Sequence, residues 1–234
     1  MKFSIIIPAL NEAESIGPSI AAILRQTVAR RDFEIVVVDG NSTDNTVAVA
    51  RAAGADIVIS EKSNGPNFSR QRGVEISHGD IIVFLDADSE PRPDWLERIG
   101  SVLARPGVAA VSGPYDYGFK GLARIIDQFQ LKLLPFLPTL LHLIFRRKAG
   151  VLIGGNFAAY RKGIEAIGGL PPLKFFGDDA AAAMLLSRRV GKVVFDPSIV
   201  VKSSPRRFER DGVLNLQLKY IKAYFGVYFS KEYR

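Results

Sequence analysis

The chain has 234 residues, with 31 Lys and Arg against 24 Asp and Glu (a formal net charge of +7), no Cys, and 47% hydrophobic residues. That length suits one large α/β domain or two small ones with enough chain to bury a core. The 21 Gly and 13 Pro are spread rather than clustered, which excludes a low-complexity or disordered chain. The lack of Cys excludes disulfide scaffolds, zinc fingers and thiol nucleophiles, and it is compatible with a reducing compartment.

The first half alternates strands and helices. Phe3–Pro8 is an apolar strand, and Ile16, Ile20, Ile23 and Leu24 then recur at helical spacing. Phe33–Asp39 is a second strand, stopped at Gly40, after which Ser42 or Thr43 is expected to N-cap a helix ending near Gly54. Strands over 56–60 and 81–85 flank a helix over 67–77. Continuous apolar strands separated by helices predict a mostly parallel, Rossmann-like sheet covered on both faces, with ligands at the strands' carboxyl ends. Pro8, Ala9, Asp39, Asp86 and Asp88 fall at those ends.

The second half is less regular. A helix over 94–103 and a strand over 108–113 are followed by a helix over 121–148, broken near Pro135 and Pro138. Short strands over 157–160 and 193–195 flank a helix over 179–190, and the last helix runs from Phe208 to Phe229. The expected organisation is one domain over 1–234, with a nucleotide lobe to about residue 115 and an acceptor lobe from about 116.

Asp86 and Asp88 end an apolar strand at i and i+2, and they share a face if the chain stays extended. Two acids so placed suit a divalent, oxygen-loving cation on a diphosphate, although a bare D-x-D triplet also suits an acidic turn. Asp39 can accept from a base or ribose, or sit in a polar turn with Ser42 and Asp44. Asn11 and Glu12 equally suit a helix start. Gly155 allows close backbone approach to a ligand, while Asn156 suits either a sugar hydroxyl or a plain turn.

These segments together resemble family 2 glycosyltransferases of the GT-A fold. The resemblance is carried by Ser4-Ile-Ile-Ile-Pro-Ala-Leu-Asn-Glu12, Ile35-Val-Val-Val-Asp-Gly-Asn-Ser-Thr-Asp44, Phe84-Leu-Asp-Ala-Asp88 and Asn67-Phe-Ser-Arg-Gln-Arg-Gly73. It extends more loosely to about residue 208. It implies an inverting transfer from a nucleotide sugar, UDP favoured and GDP allowed. Pro8, Ala9, Glu12, Asp39, Arg70 and Asp86 would surround the donor, and Asp88 would ligate Mg²⁺ or Mn²⁺. It also implies that Asp179 is the general base; Asp178 stands beside it where the family usually has Glu. Ser204-Pro-Arg-Arg-Phe208 resembles the Q-x-x-R-W element of processive synthases without its Gln and Trp, so a single transfer is expected. Arg206 and Arg207 are counted with Gly155, Asn156 and Asp178 on the acceptor side, and arginines there can also clamp a diphosphate.

The acceptor expectation rests on charge beside apolar surface. Leu133–Phe145 is nearly all apolar, is interrupted by two prolines, and is followed by Arg146-Arg147-Lys148; Arg206, Arg207 and Arg210 precede the aromatic C-terminal helix. That pattern suits in-plane contact with an anionic membrane. His142, among leucines, is read as packing. No recognised nucleic-acid motif occurs among the basic patches. Met1-Lys2-Phe3-Ser4 leads straight into a strand without the pattern of a secretory leader, and no apolar run reaches the ~18–20 residues of a spanning helix. The expected protein is a cytoplasmic, peripheral enzyme glycosylating a hydroxyl on a membrane-associated glycolipid or glycan. A polyprenyl-phosphate acceptor, and a non-catalytic nucleotide-binding module, are the alternatives.

Overall fold

Phe3–Ala9 (β1), Phe33–Asp39 (β2) and Ile81–Leu85 (β4) are apolar on both faces, so each must be covered from both sides. The computed structural model, which describes residues 2–62, 65–121, 136–146, 148–173 and 177–233, meets that demand with a seven-stranded sheet. Its order is β3-β2-β1-β4-β8-β6-β9, where β3 is Ile57–Ser60, β6 Val108–Ser112, β8 Asn156–Tyr160 and β9 Lys192–Phe195. The strands run parallel except β8, which lies antiparallel between β4 and β6. The fold is the expected α/β type, and the sheet takes two strands from the C-terminal half.

On one face, Ile16, Ile20 and Ile23 of α1 (Ile16–Leu24) pack with Trp95, Leu96 and Ile99 of α4 (Trp95–Leu103). The other face carries Val74 of α3 (Pro66–Ile76) and the small-residue run Ala180–Ala183 of α7 (Asp178–Arg189). That alanine-rich helix therefore lies directly on the sheet. A three-stranded sheet, β5 (Ser89–Pro91), β10 (Val201–Ser203) and β7 (Tyr115–Asp116), caps the carboxyl edge.

Several expectations change. α2 is Thr46–Ala52, and its N-cap is Asn45 without a side-chain bond, not Ser42 or Thr43. Ser42 is engaged instead with the Asp39 carboxylate and the Asn11 N–H. Neither Asn11 nor Glu12 starts α1, which begins after Ser15. Of the helix expected over 121–148, residues 122–135 and 147 lie outside the described residues; α5 (Leu137–Phe145) is helical, with Pro138 in its first turn rather than breaking it. The C-terminal helix is two, α8 (Arg206–Asp211) and α9 (Val213–Phe229), because Gly212 sits at φ 79°, which other residues adopt poorly. α6 is Arg161–Ala166.

Asn156 is fully buried, and its side chain joins three segments. It accepts from Trp95 Nε1 (3.0 Å) and donates through Nδ2 to Pro114 O (3.1 Å) and Ile199 O (2.9 Å). The sugar-hydroxyl reading of Asn156 is therefore corrected: its polar atoms are used inside the fold, where they tie α4 and the two sheets together. Asn156→Ala would leave those buried partners unpaired, at about 1–3 kcal/mol each. Urea unfolding should show a loss of about 3 kcal/mol with an unchanged slope; an unshifted midpoint would contradict this structural role.

Candidate active site at the carboxyl ends of the strands

The loops after β1 and β2 are knitted to each other. Asn11 N–H donates to Ser42 Oγ (2.8 Å), Thr43 N–H to Asn11 Oδ1 (2.9 Å), Glu12 N–H to Thr46 Oγ1 (2.8 Å) and Ala13 N–H to Asp44 Oδ2 (3.1 Å). Asn11 and Asn41 hold positive φ (54° and 72°), a conformation asparagine tolerates. Between these loops is a cavity of about 520 Å³ lined by Asn11, Glu12, Thr43, Asp44, Asn45 and Arg206, among others. Asp39 is wholly buried behind it. Its carboxylate takes the N–H groups of Asn41 (3.2 Å) and Ser42 (3.0 Å) and the hydroxyls of Ser60 (2.7 Å) and Ser42. It shapes the loop that lines the cavity, which is the polar-turn reading. Pro8 pairs with Val38 and Ala9 with Asp39, so both lie at the strand ends as expected.

Asp86 leaves β4 into a turn, closed by Ser89 N–H on Asp86 O (3.1 Å). The extended geometry that would give Asp86 and Asp88 one face is therefore absent, and the two acids meet different partners. Asp86 binds Arg70 Nη2 through Oδ1 (2.8 Å) and the Tyr115 hydroxyl through Oδ2 (2.8 Å). Arg70, on α3 and 7% exposed, also reaches Asp178 Oδ2 through Nη1 (3.3 Å). Its guanidinium joins the acid ending β4 to the acid opening α7. Burial opposes its charge, but Asp86 and Asp178 more than offset that and raise its pKa. Burial and the Asp86 charge push the Tyr115 hydroxyl well up, so it stays a hydrogen-bond donor. Gly155 is required here: a Cβ on it would lie 2.1 Å from Asp86 Cγ and from the Tyr115 hydroxyl oxygen.

Asp88 turns toward Glu12. Arg206 Nη2 donates to Glu12 Oε2 (2.8 Å) and Asp88 Oδ2 (3.1 Å). Burial raises the Asp88 pKa, as do the charges of Asp86 and Glu12, while Arg206 works the other way. Arg206 thus stands on the side of the strand-end acids, next to the cavity, rather than facing α7. Among the described residues no three acids or histidines form a ready metal cage. Yet a half-satisfied acid beside two more carboxylates fits a divalent ion that takes one or two protein oxygens and completes its shell on phosphates.

Asp179 opens the buried helix α7, and its Oδ1 accepts the Ala180 N–H (2.7 Å). Burial pushes its carboxyl up to about 7, aided by the Asp178 charge and opposed by Ala180, Arg70 and Gly154. A carboxyl so tuned can take and return a proton near neutral pH. Phe175 and Phe176, just before it, lie outside the described residues.

The structure thus gathers Glu12, Arg70, Asp86, Asp88, Gly155, Asp178, Asp179 and Arg206 at one edge. Arg207 is on the same helix as Arg206 but turned toward α9, with Nη1 3.4 Å from the Tyr220 hydroxyl. Tyr115 was missed, although Gly113-Pro114-Tyr115 directly after the end of β6 repeats the strand-end pattern of the other site residues.

Residues 4–168 match the family model "Glycosyl transferase family 2", and the chain belongs to that family. It is 36% identical over 121 residues to glycosyltransferase AglE of Haloferax volcanii, a match covering 50% of this chain and 40% of AglE. It is 35% identical over 113 residues to the amylovoran biosynthesis glycosyltransferase AmsB of Erwinia amylovora, covering 45% of this chain and 36% of AmsB. These alignments span well under half the length of either relative. Among solved structures, the mannosyltransferase PcManGT from Pyrobaculum calidifontis, in complex with GDP-Man and Mn²⁺, superposes with a TM-score of 0.71 at 25% identity. That match covers 94% of this chain and 64% of the mannosyltransferase. The fold is the GT-A type.

Gly155→Ala is expected to displace Asp86 from Tyr115 and Arg70. Calorimetric affinity for UDP or GDP should drop about tenfold or more, as for loss of a charge-assisted contact, with the circular dichroism spectrum retained. Unchanged affinity for the nucleotide that binds would show that Asp86 need not be held there.

Proposed function

We propose that this chain is an inverting, metal-dependent glycosyltransferase that moves one sugar from a UDP- or GDP-sugar to an acceptor hydroxyl. The observation that carries the reading is the pairing of Asp179, with its carboxyl up near 7, and the Asp88–Glu12–Arg206 cluster across the Arg70 bridge. The nucleoside enters the cavity between the β1 and β2 loops, and its diphosphate extends toward Asp88 and Arg206. Asp88, with Glu12 beside it, would hold Mg²⁺ or Mn²⁺, which when bound neutralises charge on the leaving diphosphate. Asp179 accepts the acceptor's hydroxyl proton as the oxygen attacks the anomeric carbon. The bond to the diphosphate breaks on the opposite face, and the anomeric configuration inverts. Arg70 holds Asp86 and Asp178 in place through its two ion pairs, and the Asp178 charge beside Asp179 raises that neighbour's affinity for a proton.

A peripheral, membrane-facing acceptor is supported by the surface of α5 and α9. On α5, Leu140, Leu143, Ile144 and Phe145 are exposed, and Phe136 just before it is 69% exposed. Phe145 meets Phe229 edge-on at 5.2 Å, which continues the patch into the exposed Leu218 and Ile221 of α9. Arg146, Lys148, Lys219 and Lys222 flank it; Arg147 and residues 131–135 lie outside the described residues. His142 is exposed on the same helix, so its packing reading is corrected: it faces outward between apolar neighbours. Among the described residues no helix is long and apolar enough to cross a membrane. An apolar face rimmed by lysine and arginine suits the headgroup region of an anionic bilayer. That placement favours a lipid-linked acceptor and the cytoplasmic leaflet.

Two outcomes check the reading. The base must be ionised, so transfer to a hydroxyl acceptor should rise with pH to a midpoint near 7. Asp179→Asn should abolish that limb and lower turnover at least about a hundredfold; a flat profile in the unmodified chain would refute a base with this pKa. Vesicle flotation should recover the chain with phosphatidylglycerol vesicles at low salt and much less with phosphatidylcholine. Replacing Leu143, Ile144 and Phe145 by Ser should weaken recovery, and equal recovery would rule out this face.

A further inference from the structure

Among the described residues, two arginines at this edge each bridge a pair of acids, and they differ in whether they can leave. Arg70 reaches Asp178 and Asp86 from a side chain only 7% exposed, and Gly154 lies against it, with a Cβ there 3.5 Å from Nη1. Arg206 is 52% exposed, and one of its atoms, Nη2, serves both Glu12 Oε2 (2.8 Å) and Asp88 Oδ2 (3.1 Å). The first guanidinium is locked into the fold. The second lines the cavity between the β1 and β2 loops, on a long side chain that can swing into it.

The acids that Arg206 joins are held more firmly than it is. Glu12 follows β1, with its N–H fixed on Thr46 Oγ1 (2.8 Å), and Asp88 lies in the turn that Ser89 N–H closes on Asp86 O (3.1 Å). Arg206 opens a helix of six residues, bounded by Pro205 and by Gly212 at φ 79°. Its Nε bond to Ser204 Oγ (3.1 Å) is local and exposed. One nitrogen bonded to carboxylates from two strand ends does what a divalent cation would do there, with a single positive charge. Asp88 registers the deficit, since burial and the charges of Asp86 and Glu12 raise its pKa despite Arg206. Coordination of a divalent ion by these oxygens therefore displaces Arg206 and frees its guanidinium for another anion.

We propose that Arg206 is a placeholder for the divalent ion, occupying the position between Glu12 and Asp88 and passing to the diphosphate when the ion takes those oxygens. The proposal rests on the metal-dependent reading above and adds how ion and nucleotide are coupled. Binding of the ion alone costs two ion pairs and leaves the guanidinium in water. With a diphosphate beside it, the same guanidinium finds paired phosphate oxygens. Ion and nucleotide therefore raise each other's affinity, and Arg206 carries that coupling.

The test is Mn²⁺ binding to the full chain without nucleotide, followed by the electron paramagnetic resonance signal of the free ion. Arg206→Gln should bind Mn²⁺ about tenfold more tightly than the unmodified chain, as expected for two partly exposed ion pairs lost together. Arg210→Gln removes the same charge from the same helix, but Arg210 is paired with Asp211. It should leave Mn²⁺ affinity within about twofold, because exposed charges further off are screened by salt. With Mn²⁺ saturating, the calorimetric affinity of Arg206→Gln for UDP (or GDP, whichever binds) should instead fall about tenfold, as for a lost charge-assisted contact. A merely structural role would not move the two affinities in opposite directions. Should Arg206→Gln not fold, Arg206→Ala carries the same expectations. An Mn²⁺ affinity unchanged or weaker in Arg206→Gln, or raised equally in Arg210→Gln, overturns the proposal. A nucleotide affinity that does not fall overturns the passage of Arg206 to the diphosphate. Binding of Mn²⁺ by neither chain, with or without nucleotide, would instead count against the metal-dependent reading itself.

Discussion

The site depends on one constraint: carboxylates placed at the ends of wholly apolar strands must be compensated, because nothing in the sheet beneath them can solvate a charge. Arg70 meets that constraint for Asp86, and it pairs at the same time with Asp178, which opens α7 in a distant part of the chain. Because its guanidinium is almost wholly buried, removing either acid would strand the other partners. The bridge therefore fixes the distance between the β4 edge and the start of α7. Gly155 and Tyr115 are consequences of the same constraint, one by leaving room for Asp86 and the other by satisfying its second oxygen.

Compensation is uneven across the edge, and the unevenness is informative. Asp39 is saturated by its own turn and by Ser60, so it behaves as a structural support of the loop lining the cavity. Asp88 is served by an exposed arginine that it shares with Glu12, which leaves an acid-rich corner able to accept a cation. Asp179 has backbone N–H groups and the more distant Arg70 against burial and Asp178, and its affinity for a proton rises accordingly. Three carboxylates of the same chemistry thus acquire three different environments from their neighbours.

Much of the fold was legible in the sequence because buried parallel strands are written as uninterrupted apolar runs; β4 over 81–85 is an example. The small sheet of β5, β7 and β10 was not, since strands of two or three residues carry no periodicity. Strand ends announced Asp86, Asp88 and Asp39, but sequence could not say that the chain turns after Asp86, nor that Asn156 is consumed by Trp95, Pro114 and Ile199. The turn is set by a bond from Ser89 N–H to Asp86 O and by side-chain partners 16 and 29 residues away, and the partners of Asn156 lie more than 40 residues away, so neither is written in the local pattern. The break at Gly212 was visible as a glycine, though only its positive φ shows that α8 and α9 diverge there and send Arg206 and Arg207 to different neighbours.

The central claim is that the acids at this edge serve catalysis and not nucleotide binding alone. The most direct measurement is release of nucleoside diphosphate from a panel of UDP- and GDP-sugars, with membrane extract as acceptor, in the presence and absence of Mn²⁺. The account predicts turnover of at least one donor that requires the divalent ion and is lost in Asp88→Ala. A chain that binds the nucleotide yet releases no diphosphate from any donor would contradict it.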